Sequence, residues 1–255
     1  MCMQSTTSNH KIKTVRTMGF DVFSSSLESI SLNTKAPKIL NTISPNSYGI
    51  STKDDAFREA LKKSDYLVLD GVYFALSSII LHGKNIKRNQ GPDVFYHFMD
   101  RSNKNHYKVF FLGASESTLE KIKIKAKVQY PNIKIDSYSP PFKDEFTEEE
   151  NDVMIKAINE FEPDVLFVGM TCPKQEKWSS LNQYFLNVKL ICCIGGVFDW
   201  YAGNYKEISE IWWKLRLGWL IRAIQRPDLL KRNIPNYYIF LKDLILIFLK
   251  LKTTI

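Results

Sequence analysis

The sequence predicts an α/β protein in which a parallel sheet is flanked by helices and a helical appendage follows at the C-terminus. Three observations carry this expectation. Five apolar, strand-like runs end in Gly, Asp or small polar residues; each is followed by a helix-like stretch; and after Gly203 the pattern changes to helix dense in aromatic and basic side chains. Strand alternating with helix is the signature of a parallel sheet covered on both faces. With 255 residues, 44% of them hydrophobic and 24% charged, the chain can bury one large core.

Residues 1–16 read as a flexible N-terminal extension, polar and basic, with no apolar stretch of the signal-peptide kind. The α/β core is assigned to 17–203. Its first strand, Lys38-Ile39-Leu40, runs into Asn41-Thr42-Ile43-Ser44, and a helix is expected over Asp54–Ser64. Tyr66-Leu67-Val68-Leu69 then precedes Asp70-Gly71 and a helix over Val72–His82, with a further helix over Pro92–Ser102. Val109-Phe110-Phe111-Leu112 precedes Gly113 and a helix over Ser115–Val128. The acidic, Pro-containing stretch Ser139–Glu150 reads as a surface loop leading into a helix capped at Thr147 and running to Phe161. Asp164–Val168 precedes Gly169 and a helix over Pro173–Phe185, and Leu190–Ile194 runs into Gly195-Gly196 and Asp199. In an open, Rossmann-like sheet, ligands bind beyond the carboxyl ends of the strands, where these residues would converge. A small anionic ligand is expected on that rim.

The appendage, 204–255, carries much of the formal net charge of +8, since from Tyr205 onward ten Lys or Arg face four acids. Such a basic tail suits anionic lipid, nucleic acid or a phosphate-bearing substrate. On a helix over Ile211–Arg226, Trp213, Leu217, Leu220, Ile221 and Ile224 share one face, and Trp212, Arg216, Trp219, Arg222 and Arg226 the opposite one. A core-facing stripe with a solvated back explains the first face; Trp among Arg on the second is typical of membrane interfaces and phosphate sites. No run reaches the roughly 18 apolar residues a spanning helix needs; Tyr237–Leu251 is broken by Lys242, Asp243 and Lys250. The four cysteines form neither CxxC nor a Cys/His cluster, as expected for a reduced, cytoplasmic protein without structural zinc.

Asp70 is the strongest candidate for chemistry. A carboxylate after an apolar strand, given room by Gly71, suits a general base, although the same residue also suits an N-cap for the helix from Val72. The segment from Gly169 to Trp178 opens a helix with Pro173 near its first turn, and free N–H groups there suit a diphosphate, with Lys174 and Gln175 adding side-chain contacts. Simple capping explains the same residues, and Trp178 suits the core. Gly113-Ala114-Ser115 is a second such turn but lacks the third glycine of a dinucleotide fingerprint. There is no GxxxxGK[ST] loop, HExxH, GxSxG or Asp-x-Asp, and the histidines are scattered. No metal site is therefore expected.

Taken in order, five stretches resemble the WecG/TagA/CpsF family of bacterial glycosyltransferases over roughly residues 17–232. They are Thr42-Ile43-Ser44-Pro45-Asn46-Ser47-Tyr48; Leu69-Asp70-Gly71; Val168-Gly169 with Pro173 to Trp178; Gly195-Gly196-Val197-Phe198-Asp199 with Ala202-Gly203; and Trp219-Leu220-Ile221-Arg222 with Pro227 and Arg232. The resemblance implies metal-independent, inverting transfer of an N-acetylmannosamine-type sugar (ManNAc or ManNAcA) from a UDP-sugar. The implied acceptor is linked to undecaprenyl diphosphate and serves surface polysaccharide or teichoic acid synthesis. It implies Asp70 as base; Thr42, Asn46, Gly71, Gly113, Lys174, Gln175 and Asp199 at the donor or substrate; and Arg222 and Arg232 at diphosphate and acceptor. It also implies a cytoplasmic enzyme held peripherally on the inner membrane, with no nucleic-acid partner and with a homo-oligomer left open. Thr42-Ile43-Ser44 stands where the family has Thr-x-Asn, Asn46 being the nearest substitute, and Leu229 stands at an appendage Arg position. Two other readings remain: a non-catalytic α/β nucleotide- or nucleic-acid-binding protein with a basic arm, and an inactive relative that scaffolds an assembly.

Overall fold

In the computed structural model, residues 12–205, 224 and 227–254 are described. The chain begins with an antiparallel hairpin, β1 (Thr14–Thr17) and β2 (Phe20–Phe23). Met18 and Gly19 turn it with φ of 50° and 87°, the left-handed pair that a tight hairpin requires. Residues 14–16, read in sequence as the end of a loose extension, thus belong to a strand.

Six parallel strands form the main sheet: β3 (Lys38–Ile43), β4 (Tyr66–Leu69), β5 (Lys108–Gly113), β6 (Lys134–Tyr138), β7 (Val165–Gly169) and β8 (Leu190–Cys193). Their spatial order is β4-β3-β8-β7-β5-β6. All five predicted strands are present. The sixth, β6, has the sequence KIDSY and lies at the edge with little burial, so no apolar run announces it.

Helices fill the connections: α1 (Pro45–Ser51), α2 (Asp55–Lys62), α3 (Val72–His82), α4 (Gly91–Asn105), α5 (Glu116–Gln129), α6 (Glu148–Phe161), α7 (Lys174–Asn182) and α8 (Val197–Tyr201). Thr147 caps α6 in a reciprocal box with Glu150, as expected. Ser44 does the same for α1 with Ser47. Serine caps a helix about as well as asparagine, so Ser44 has a structural task of its own here.

Side chains alternate across the central strands. Val109, Phe111, Val165, Phe167, Leu190 and Cys192 enter one core, while Phe110, Leu112, Leu166, Val168, Ile191 and Cys193 enter the other. Burial on both faces explains why these strands read as continuous apolar runs. A third core lies over β3 and β4, where Ile43, Leu67 and Leu69 meet Tyr48, Phe57 and Phe74.

The last helix, α9 (Pro227–Phe248), closes this third core. Phe240 stacks on Phe74 at 5.4 Å and meets Tyr48 edge-on at 5.6 Å. The Tyr48 hydroxyl donates to the buried carboxylate of Asp243 at 3.0 Å, and Lys252 reaches the same oxygen at 2.6 Å. A Cβ on Gly49 would lie 2.4 Å from the Asn236 backbone, so α1 and α9 approach at backbone contact. No helix among the described residues is long and apolar enough to cross a membrane.

Candidate functional site: a rim beneath the last helix

From β5 the chain moves outward to β6, and from β7 it moves the other way to β8. The connections therefore diverge between β5 and β7, the kind of switch point beside which open sheets bind ligands. Gly113 and Gly169 end these two strands and are paired in register. Gly113 has φ +116°, and a Cβ there would lie 2.5 Å from the Gly169 carbonyl oxygen. Backbone packing by itself demands this glycine.

The end of β4 is built differently. The N–H of Asp70 continues the ladder by donating to the Ile43 carbonyl at 2.8 Å. The cap position of α3 falls to Gly71, with φ 82° and ψ 159° and no side-chain cap. Asp70 is thus one residue outside the cap, half-buried at the rim. Among the described residues, a Cβ on Gly71 would meet nothing within 4 Å, which leaves room beside the carboxylate.

Three further groups crowd this end of β4. Tyr237 of α9 is 40% exposed, and its phenol is pushed up by burial, with a side-chain hydrogen bond from Asn233 opposing and the Asp70 carboxylate adding to the rise. Arg88 bridges to Leu69 in parallel register, and Asn89 donates its N–H to the Leu69 carbonyl at 3.1 Å. Asn89 is buried, and its Nδ2 has no hydrogen-bond partner among the described residues. Sequence reading missed all three.

At the start of α7, Gln175 is 3% exposed and fully engaged in holding the next loop. Its Oε1 accepts the Gly195 N–H at 3.1 Å and its Nε2 donates to Glu176 Oε1 at 2.8 Å. Glu176 is 2% exposed, and its Oε2 has no hydrogen-bond partner among the described residues. Burial pushes its carboxyl up to about 7 against the Gln175 hydrogen bond. Next to it, the Cys172 thiol is pushed up by burial and by Glu176, with Arg232 of α9 opposing.

The other expected residues fall as follows. Thr42 lies inside β3, opposite Val68, because the strand continues past Leu40 to Ile43. Asn46 Oδ1 accepts from Asn236 Nδ2 at 2.9 Å, tying α1 to α9. Lys174 donates to the Lys143 carbonyl at 2.6 Å and lies 4.8 Å over the Phe146 ring, so it fastens the acidic loop. Asp199 accepts from Asn204 at 2.9 Å. Trp178 is a core residue whose indole donates to Asn151 at 2.8 Å. Arg222 lies outside the described residues. The structure therefore brings Asp70 and Asn46 to α9, and Gln175 to the Gly195-Gly196 turn. Among the described residues, no cluster of three or more His, Cys, Asp or Glu is arranged to hold a metal ion.

A six-stranded parallel sheet flanked by helices, with a carboxylate after β4 and a helix start after β7, defines an α/β protein of the Rossmann-like class. The profile described as "Glycosyl transferase WecG/TagA/CpsF family" matches residues 14–253, and the chain belongs to that family. It is 28% identical to the N-acetylglucosaminyldiphosphoundecaprenol N-acetyl-beta-D-mannosaminyltransferase of Bacillus subtilis (strain 168), over 83% of this chain and 81% of that protein. It is 29% identical to the transferase of the same name from Staphylococcus aureus (strain MRSA252), over 72% of this chain and 70% of that one.

Proposed function

We propose that the protein transfers an N-acetylmannosamine-type sugar from a UDP-sugar to a sugar on undecaprenyl diphosphate, with inversion at the anomeric carbon. The supporting observation is Asp70: a half-buried carboxylate one residue outside the helix cap, beside the open space at Gly71, in a chain of this family. The names of the relatives support the donor sugar and the lipid-linked acceptor.

In this reading Asp70 accepts the proton of the acceptor hydroxyl as its oxygen attacks the anomeric carbon. One C–O bond forms, the bond from that carbon to the diphosphate breaks, and UDP leaves with the electron pair. Arg88 at the rim and Arg232 of α9, with Arg222 as the family resemblance implies, offset the charge that develops on the leaving diphosphate. Thr42 and Asn46 serve the donor or substrate, and Gln175 holds the Gly195-Gly196 turn on the same rim. Gly113, Lys174 and Asp199 support the walls.

A lipid-linked acceptor requires the enzyme to reach a bilayer. Along α9, Ile234, Tyr238, Leu241, Ile245 and Phe248 are all exposed at spacings of four and three, with Lys231, Lys242 and Lys250 nearby. One apolar stripe with basic flanks is the pattern of a helix lying in an anionic interface, and we assign the protein to the cytoplasmic face of the inner membrane. The test is mass spectrometry of products from a panel of UDP-sugars and a short-chain prenyl-diphosphate-linked GlcNAc. Transfer from UDP-ManNAc with inversion is expected; failure of every UDP-sugar to transfer would sink the reading.

A further inference from the structure

The helix that begins immediately after Asp70-Gly71 also leaves apolar side chains in solvent. On α3, Leu76, Ile79 and Ile80 are 45%, 44% and 41% exposed, while Phe74, Ala75, Ser77 and Ser78 beneath them are buried. Scattered exposed aliphatics are ordinary on a protein surface, but several on one helix face form a patch that marks a contact. The helix that bears the second stripe, α9, packs directly against α3, with Phe240 stacked on Phe74 at 5.4 Å.

The charge around the patch identifies what it meets. No acid occurs from 71 to 92, and Lys84, Lys87 and Arg88 follow the helix directly. On α9 the acid beside the stripe, Asp243, is buried and answered by Tyr48 and Lys252. A second copy of this chain docking here by two-fold symmetry would bring like charges together, which disfavours that pairing. An anionic lipid surface satisfies both the apolar face and the cations.

We propose that α3 is a second bilayer contact, built into the core itself, and that α3 and α9 together hold Asp70 at headgroup level. The inference rests on the lipid-linked acceptor of the proposed function and adds the surface that presents the catalytic rim to it. Because α3 follows directly on Gly71, a helix about 16 Å long lying along the interface fixes the height of the carboxylate. A lipid diphosphate standing at the interface then meets Asp70 without leaving the bilayer.

The experiment compares the full chain with Leu76→Gln/Ile80→Gln, which removes apolar area without adding charge. A control, Ile124→Gln/Val128→Gln, alters exposed residues of α5. Co-sedimentation with phosphatidylglycerol-containing vesicles should fall about tenfold for the α3 variant and stay unchanged for the control. Thermal unfolding and turnover of a water-soluble short-chain acceptor should match wild type, while transfer to a long-chain acceptor in vesicles falls with the binding. Vesicle binding equal to wild type would overturn the proposal. So would a change from dimer to monomer by light scattering with vesicle binding intact, since the patch would then belong to a second copy. If wild type turns over neither acceptor, the catalytic reading fails while the sedimentation result still decides the role of α3.

Discussion

At the ends of β4 and β5 the chain does the same thing in sequence, an apolar run stopping at glycine, and reaches opposite results in space. Beyond Gly113 the place of a side chain is filled by the backbone of Gly169, 2.5 Å away. Beyond Gly71, none of the described residues comes within 4 Å of that place. The first glycine exists so that two strands can close up at the point where the topology diverges. The second leaves room next to a carboxylate. A strand-end glycine therefore identifies a rim, and only the neighbouring strand decides whether that rim is sealed or open.

The largest expected effect tests the open rim. Asp70→Asn keeps the shape of the side chain but not its basicity, and loss of a general base costs on the order of 10² to 10⁴ in rate. Because Gly71 holds the cap position, the fold should survive the change. A variant with more than about half the wild-type kcat for the soluble acceptor would remove Asp70 from the proposed mechanism.

The sealed rim should answer in stability instead. Gly113→Ala meets both a left-handed φ of +116° and a backbone carbonyl, and should cost about 3–4 kcal/mol in urea unfolding. Gly71→Ala meets backbone strain alone, about 1–3 kcal/mol, and its transfer rate should suffer more than its stability. Equal stability losses in the two variants would erase the distinction drawn between the strand ends.

Glu176 sharpens the comparison from inside the fold, behind the turn that Gln175 fixes. Its carboxyl, ordinarily near 4.5, stands at about 7 in the folded protein because it is buried. The folded state then binds the proton more tightly than the unfolded one, so stability falls as pH rises from about 4.5 to about 7 and stays low above that. The loss by pH 8 is roughly 3 kcal/mol. Glu176→Gln preserves an acceptor for the Gln175 amide and should flatten this dependence, making the variant more stable than wild type at pH 8. Unfolding free energies that fall equally in both proteins from pH 5 to pH 8 would show that Glu176 is not the group responsible.

Much of this architecture was legible in the residues. Strands buried on both faces advertise themselves as apolar runs, and α3 appears over the range its pattern predicts, Val72–His82. What stayed hidden has a physical reason in each case. The edge strand β6 has no second face to bury. The hairpin at 14–23 depends on a Met18-Gly19 turn whose first residue is atypical of left-handed backbone. Asp70, Gln175 and Arg232 were recognisable as chemistry-bearing types. The partners of Asp70, Asn46 and Gln175 were not, because Tyr237, Asn236 and Gly195 reach them through contacts between segments distant in sequence. Lys174 shows the same limit in reverse: a lysine at a helix start reads as a phosphate ligand until its ammonium is found on the Lys143 carbonyl.

The smallest expected effect concerns how α9 is held over the open rim. Tyr48 lies in the core and donates its hydroxyl to Asp243, so Tyr48→Phe removes one charge-assisted hydrogen bond while keeping the ring that packs against Phe240 and Phe74. Asp243 keeps Lys252 as a partner, which limits the loss to about 1–2 kcal/mol. Tyr48 is fully buried, so an effect on transfer passes through the position of α9, and a fall of about two- to fivefold is expected. Hydrogen exchange should localise the change, with amides of 227–248 losing protection and those of β5 and β7 keeping theirs. Uniform loss across the sheet would mean that α9 belongs to the same cooperative unit as the sealed rim, and the two rims would then rise and fall together.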